Sequence, residues 1–307
     1  MTTGSAPPVV ELAEAGYGYE DGPTVFRGLT FAVRGGRALA LLGRNGSGKT
    51  TLLRLLTGGL RPTSGELRVD GVRVGPGRAA LTRLRTSVQL VLQDPDDQLF
   101  AASVGQDVSF GPMNLGLPEE QVGRRVEESL EALGIAALRD RPTHLLSHGQ
   151  RKRAAIAGAV AMRPRVLVLD EPTAGLDPHG QEQLLDVLAG LQESGTTVVM
   201  TTHDVDLALR WADDAAILAP GGPYTGPVGD LLGDSALLAR AGLRQPWGQA
   251  AARVLRAHGL PGGEGDAPRT PEELLSLAGR PGGAGRSMPA AGAGGLPAQA
   301  PPGPAGR

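Results

Sequence analysis

An apolar run from Arg37 to Leu42 leads directly into Gly43-Arg44-Asn45-Gly46-Ser47-Gly48-Lys49-Thr50, and the stretch that follows, TLLRLLTGGL, carries its leucines at helical spacing. Strand, glycine loop and helix in immediate succession leave few folds open. The glycines let successive backbone N–H groups converge on one point, and the start of the helix adds partial positive charge there. Both features suit a phosphate. The octet satisfies G-x-x-x-x-G-K-[ST] at every fixed position, in the context that this spacing requires. Gly43, Asn45, Gly46, Ser47, Gly48, Lys49, Thr50 and Thr51 are therefore the candidate cradle of a nucleoside triphosphate. Lys49 is expected at its β- and γ-phosphates and Thr50 at Mg²⁺.

Lysine is scarce enough to make that position informative. Of the 30 basic residues only Lys49 and Lys152 are lysines, all others being arginine. A compact ammonium on a flexible stem serves a crowded site where a planar guanidinium does not. The absence of cysteine rules out a disulfide framework, a thiolate metal site and a catalytic cysteine, as expected in a reducing compartment. A net charge of -2 over 307 residues lacks the footprint of nucleic-acid binding, so no nucleic-acid partner is expected. The N-terminus shows neither a positive leader nor an apolar run, and no stretch approaches the roughly 20 apolar residues that span a bilayer. The chain reads as soluble and cytoplasmic, with any membrane role supplied by a partner.

The organisation is α/β. VVELAEAGYGY and TVFRGLTFAV flank a Glu20-Asp21-Gly22 turn and predict a β-hairpin. Residues from about 95 to 160 read as a helical insert, with Val122, Val126, Leu130 and Leu133 forming one apolar stripe. Val166-Leu167-Val168-Leu169 and Thr197-Val198-Val199-Met200 are apolar throughout, as strands buried on both faces of a parallel sheet are, and a helix from about Gln181 to Glu193 separates them. This alternation predicts a doubly wound core with its ligands at the carboxyl ends of the strands. Residues 279–307 are rich in Gly, Pro and Ala, cannot offset ordering entropy, and are expected to be disordered.

Several further residues fall at that carboxyl edge. Asp170 and Glu171 close the 166–169 strand; Asp170 is expected to hold Mg²⁺ through water, and Glu171 to polarise the attacking water as general base. His203 follows the strand TVVMTT and is expected beside the γ-phosphate. Ser147-His148-Gly149-Gln150 opens a helix as a capping box, which also leaves free N–H groups and a positive helix end for an anion presented by another subunit. Lys152 and its arginine neighbours in that first turn make such an anion more welcome.

The phosphate loop at 43–50, Gln93 in VLQDPDDQLF, LSHGQ at 146–150, VLVLDEP at 166–172, AGLD at 174–177 and His203 resemble, in order and spacing, the nucleotide-binding subunits of ABC transporters. The likeness covers about residues 9–243. It implies a RecA-like P-loop NTPase with an N-terminal antiparallel β subdomain and an inserted helical subdomain at about 95–160. An ATP-binding domain over 1–243, a short C-terminal extension at 244–278 and the 279–307 tail complete the expected division. By the same resemblance Tyr19 stacks on adenine, a role that Tyr17 on the same strand face could share or take. Gln93 contributes to Mg²⁺ and to catalysis and links the site to the insert, and Asp177 contacts the opposite subunit. Ser147, Gly149 and Gln150 grip the γ-phosphate held by the partner's loop. His148 stands where the commonest signature has glycine.

Within that superfamily QDPDDQLFAASVGQDVSFGPMNLGL, RKRAAIAGAVAMRP and DEPTAGLDP resemble the ATPases of energy-coupling-factor importers, cobalt-type in particular. The implied activity is ATP hydrolysis by two subunits, in a homo- or heterodimer, closed over two ATP molecules. The implied partners are an integral-membrane coupling subunit and a substrate-binding membrane subunit. The place is the inner face of the cell membrane. Cobalt or nickel is the first cargo and a B vitamin the second. An exporter subunit is a weaker reading. So is a soluble ABC ATPase of repair or translation, because the stretch from Lys49 to Ser147 is too short for a long coiled-coil insert.

Overall fold

The computed structural model describes residues 8–20, 22–259 and 267–278. Strands β1 (Pro8–Gly18) and β2 (Thr24–Arg34) form the antiparallel hairpin that the apolar alternation predicts. β3 (Ala38–Leu42) runs through the glycine loop into α1 (Lys49–Leu56), after which β4 (Ser64–Val69) and β5 (Val72–Arg73) return to the hairpin. Next come α2 (Arg78–Ser87), β6 (Val88–Val91), and the insert of α3 (Val104–Asn114), α4 (Glu119–Ala132) and α5 (His148–Val160). β7 (Val166–Leu169), α6 (Pro178–Glu193), β8 (Thr197–Thr201), α7 (Val205–Trp211), β9 (Asp214–Ala219) and β10 (Gly222–Pro227) complete the core. The chain then continues through α8 (Val228–Gly233), α9 (Ser235–Ala241), α10 (Trp247–Ala257) and α11 (Pro271–Ala278).

Two sheets result, a four-stranded antiparallel one of order β2-β1-β4-β5 and a six-stranded one of order β10-β9-β3-β8-β7-β6. All of the second is parallel except β10, as the fully buried ALALL, VLVL and TVVMT runs require. Its order places β3 between β9 and β8, with β7 beyond β8. Leu41 pairs with Thr201 and Leu169 with Met200, so residues 43, 170 and 202 leave the sheet side by side. A doubly wound sheet binds ligands at this edge.

Helix α1 lies between the two sheets. Leu52, Leu53, Leu55 and Leu56 are wholly buried among Leu12 and Phe31 of the antiparallel sheet and Leu41, Val168 and Val199 of the parallel one. Truncating one of these leucines to alanine costs about 2–5 kcal/mol, so the helix that carries the phosphate loop is fixed on both sides. A second cluster joins Val104, Val108, Val126, Leu130 and Ile156 of the insert to Leu167 and Leu169 of β7.

The sixth helix begins earlier than the sequence spacing indicates. Pro178 occupies its first position and Asp177 caps it, accepting the Gly180 N–H at 2.7 Å. The segment expected as an extension carries α10 and α11, and its start is fastened to the core. Arg244 pairs with Asp206 at 2.6 Å and Asp204 at 3.3 Å, and the Trp247 N–H donates to Asp206 at 2.8 Å. The 279–307 tail, residues 1–7, 260–266 and Asp21 of the expected turn lie outside the described residues. Among those described, no helix is long and apolar enough to cross a membrane.

Candidate nucleotide site

The glycine loop takes a shape that side chains resist. Gly46 has φ 77° and open space around it, while Gly48 has φ 98° and caps α1. A Cβ at Gly48 would sit 2.9 Å from Cζ of Phe26 and 3.1 Å from Cγ1 of Val25, so β2 closes against the back of the loop. Arg44, Asn45 and Gly46 are exposed, whereas Gly43 is buried at the strand end and the Ser47 Oγ is buried with no hydrogen-bond partner. Lys49 is 8% exposed, and its Nζ donates to the carbonyls of Gly43 at 2.7 Å and Arg44 at 3.2 Å. Burial lowers its pKa, against the opposing pull of the Glu171 and Asp170 carboxylates. The ammonium is turned back onto its own loop and held there by two backbone carbonyls.

From that loop a continuous chain of contacts crosses the sheet edge. Thr50 Oγ1 donates to Asp170 Oδ2 at 3.3 Å, Thr201 Oγ1 donates to Asp170 Oδ1 at 2.6 Å, and the same Thr201 oxygen accepts the Glu171 N–H at 2.8 Å. His203 Nδ1 stands 3.3 Å from Glu171 Oε2; its side chain is 70% exposed, that of Glu171 only 16%. Glu171 has φ 43°, a left-handed conformation costly for a side chain of this kind and one that functional sites maintain. Thr50 and Asp170 offer the hard oxygen donors that fit a small divalent cation. Among the described residues no cluster of three or more His, Cys, Asp or Glu is arranged for a metal. A cation here would take the rest of its shell from phosphate and water, as Mg²⁺ commonly does. Gln93 leaves β6 at this edge, next to β7, but it is exposed and stands outside the Thr50–Asp170 chain of hydrogen bonds.

Tyr19 is 45% exposed, and its hydroxyl pairs with Thr51 Oγ1 at 3.1 Å. Tyr17 packs against the core and meets Tyr19 edge-on at 5.1 Å. The free ring face therefore belongs to Tyr19, and buried Thr51 acts as its anchor. At the start of α5 the capping box is complete: Gln150 N–H donates to Ser147 Oγ at 3.3 Å and Ser147 N–H to Gln150 Oε1 at 3.0 Å. Gly149 lies close to Leu176, and His148 Nε2 lies close to Gly175. Lys152 departs from the sequence expectation. Its ammonium does not reinforce the exposed helix end; it turns inward, 4% exposed, and donates to the backbone carbonyls of Glu171, Pro172 and Ala174.

The family model for the ABC transporter matches residues 26–174. A putative ABC transporter ATP-binding protein of Streptomyces coelicolor is 67% identical over 273 residues, spanning 89% of this chain and 96% of that one. The chain belongs to the ATP-binding proteins of ABC transporters. The cobalt import ATP-binding protein CbiO of Rhodobacter capsulatus is 53% identical across 78% of this chain and 86% of its own. The energy-coupling factor transporter ATP-binding protein EcfA of Methanocaldococcus jannaschii is 44% identical across the same two shares. Among solved structures, CbiO1 of Clostridium perfringens, described as part of the ABC transporter complex CbiONQ, superposes with a TM-score of 0.69 at 38% identity, covering 82% of this chain and 99% of that one.

As an ABC ATP-binding protein of this type, the chain is a member of a family that hydrolyses ATP, and its fold is the P-loop α/β fold that the sequence implies. Three residues of the site escape motif reading. Thr201 was visible only as a strand residue, although its one hydroxyl serves both Asp170 and Glu171. Gln98, and not Gln93, fastens the loop after β6 to the insert, accepting the Leu92 N–H at 3.1 Å and donating to the Ala155 carbonyl at 3.3 Å. Lys152 stands out in the sequence by its rarity and its place in the first turn of α5, and neither points to the carbonyls of Glu171, Pro172 and Ala174.

Proposed function

We propose that this chain binds and hydrolyses MgATP as the motor subunit of an energy-coupling-factor importer for cobalt or another transition-metal ion. The observation that carries the motor is the unbroken run of contacts from Thr50 through Asp170 and Thr201 to Glu171 and His203 beside the phosphate loop. Lys49 exchanges its two carbonyl partners for the β- and γ-phosphates, and the N–H groups of residues 46–50 surround the same oxygens. Thr50 and Asp170, with Gln93 approaching from the end of β6, would hold Mg²⁺, which neutralises charge on the phosphates when bound. Glu171 accepts a proton from water as that water attacks the γ-phosphorus and the bond to the ADP oxygen breaks. His203 positions the pair. The ring of Tyr19 stacks on adenine.

Two such subunits close over two nucleotides, because Ser147, Gly149, Gln150 and Asp177 offer one copy's groups to the ATP held by the other. Moving such a pair from mostly open to mostly closed takes about 5.5 kcal/mol of differential binding. The exposed Phe100 and Phe110, stacked edge to face at 4.7 Å at the border of the insert, give a membrane-embedded partner its apolar hold. Residues 1–243 form the ATP-binding unit, 244–278 the extension used in pairing, and the assembly sits at the inner face of the membrane. Likeness to the cobalt import protein CbiO supports the cargo.

Purified with its membrane companions and placed in proteoliposomes, the chain is expected to drive ATP-dependent Co²⁺ accumulation that Ni²⁺ competes for and that Glu171→Gln abolishes. Turnover coupled to a B vitamin and to neither ion overturns the cargo and leaves the motor. Absence of MgATP affinity, alone or with companions, overturns both.

A further inference from the structure

Lys152 is the one lysine that the nucleotide chemistry leaves unused. It sits on α5, five residues after the Ser147 cap, and its ammonium reaches the carbonyls of Glu171 at 3.2 Å, Pro172 at 3.0 Å and Ala174 at 2.6 Å. An ammonium has three N–H groups, and all three are used. The receiving segment begins with the strained Glu171, whose carbonyl also accepts the Ala174 N–H at 3.1 Å, and it ends in Leu176 and Asp177 at the cap of α6. Burial disfavours this charge, opposed first by the Glu171 carboxylate and then by Asp94. The chain uses arginine at nearly every other basic position, including the flanking Arg151 and Arg153. A planar guanidinium cannot aim three donors from a single point at three carbonyls, whereas an ammonium can.

Resting on the reading above, we propose that Lys152 is a positioning residue that ties the loop carrying the base of one nucleotide site to the helix that grips the nucleotide of the other. Occupation of the α5 N-terminus by the partner's phosphate then acts on Glu171 in the same chain through three hydrogen bonds, with no need for contact between the two nucleotides.

A double-mutant cycle tests this on the full chain assembled with its companions. Lys152→Met removes the donors and keeps the stem. It is expected to lower kcat for MgATP about tenfold or more while the Kd for MgATP stays within about twofold. Lys152→Arg, which keeps the charge but not the convergence, is expected to fall short of wild type as well. In the Glu171→Gln background Lys152→Met is expected to slow residual single-turnover hydrolysis no further, since its route passes through Glu171. Unchanged kcat, parallel loss of MgATP binding, or an undiminished loss in the Glu171→Gln background each overturns the proposal. If Lys152→Met does not fold by circular dichroism, Lys152→Gln, which keeps two N–H groups, runs the same cycle with an expected loss of about threefold or more. A wild-type assembly that does not hydrolyse ATP defeats the motor reading; normal turnover with an indifferent Lys152→Met defeats this inference alone.

Discussion

Both lysines of this chain are buried, both give their N–H groups to backbone carbonyls, and they solve opposite problems. Lys49 has two partners within its own loop, beside open space and carboxylates, and a triphosphate can replace them. Lys152 has three, all in a segment that begins 19 residues later in the chain, with nothing left to exchange. One half of the site holds a group with two partners inside its own loop; the other is a fastening between two segments. The capped start of α5 belongs with the second, since the Ser147 and Gln150 side chains each accept the other's backbone N–H.

The sharpest way to break this contrast acts on Glu171, the proposed base between the two halves. Glu171→Gln is expected to slow hydrolysis by about 10²–10⁴-fold and to keep ATP bound, so that a stable dimer appears in size-exclusion chromatography only with MgATP; ordinary turnover would remove Glu171 from the base role. Ser147→Ala separates the halves more gently. It should cost about 1 kcal/mol of stability through the lost cap, visible as a lower Tm, and leave ATP binding by the single chain intact while weakening ATP-dependent dimerisation. Weaker binding to the single chain would place Ser147 in the wrong half. The smallest effect is a pH dependence. Because burial lowers the Lys49 pKa, its charge is lost at lower pH than an ordinary lysine's, so ATP affinity should fall on the alkaline side and binding should there take up protons. The empty protein should respond oppositely. Between the folded and unfolded pKa values the unfolded chain holds more protons, so stability gains as pH rises. Both trends are read as differences between wild type and Lys49→Met by calorimetry and thermal melts.

What the sequence made legible was whatever local backbone chemistry decides. The octet at 43–50 had to be a strand-to-helix loop because its glycines and the flanking periodicities allow little else. The Ser147–Gln150 box follows from two side chains three residues apart. Contacts that join distant segments left no such mark. Thr201 reads as one more β-branched strand residue until β8 settles beside β7, and the third strand of the antiparallel sheet, β4, shows itself only by pairing with β1. The Arg244 and Trp247 contacts to Asp206 are equally silent, since nothing local tells Asp206 from a solvated helix residue. The start of α6 is hard to place from periodicity because its buried stripe of Leu184, Leu185 and Leu188 begins six residues after Pro178.

Phe26 stands against the back of Gly48, with no space between for even one carbon. The hairpin is thus not an interchangeable module clipped to a catalytic core: its β2 rings and methyls form the mould in which the anion cradle is cast. Chimaeras that trade this hairpin for a relative's would have to match side-chain volume at positions 25 and 26 before any question of nucleotide preference arises.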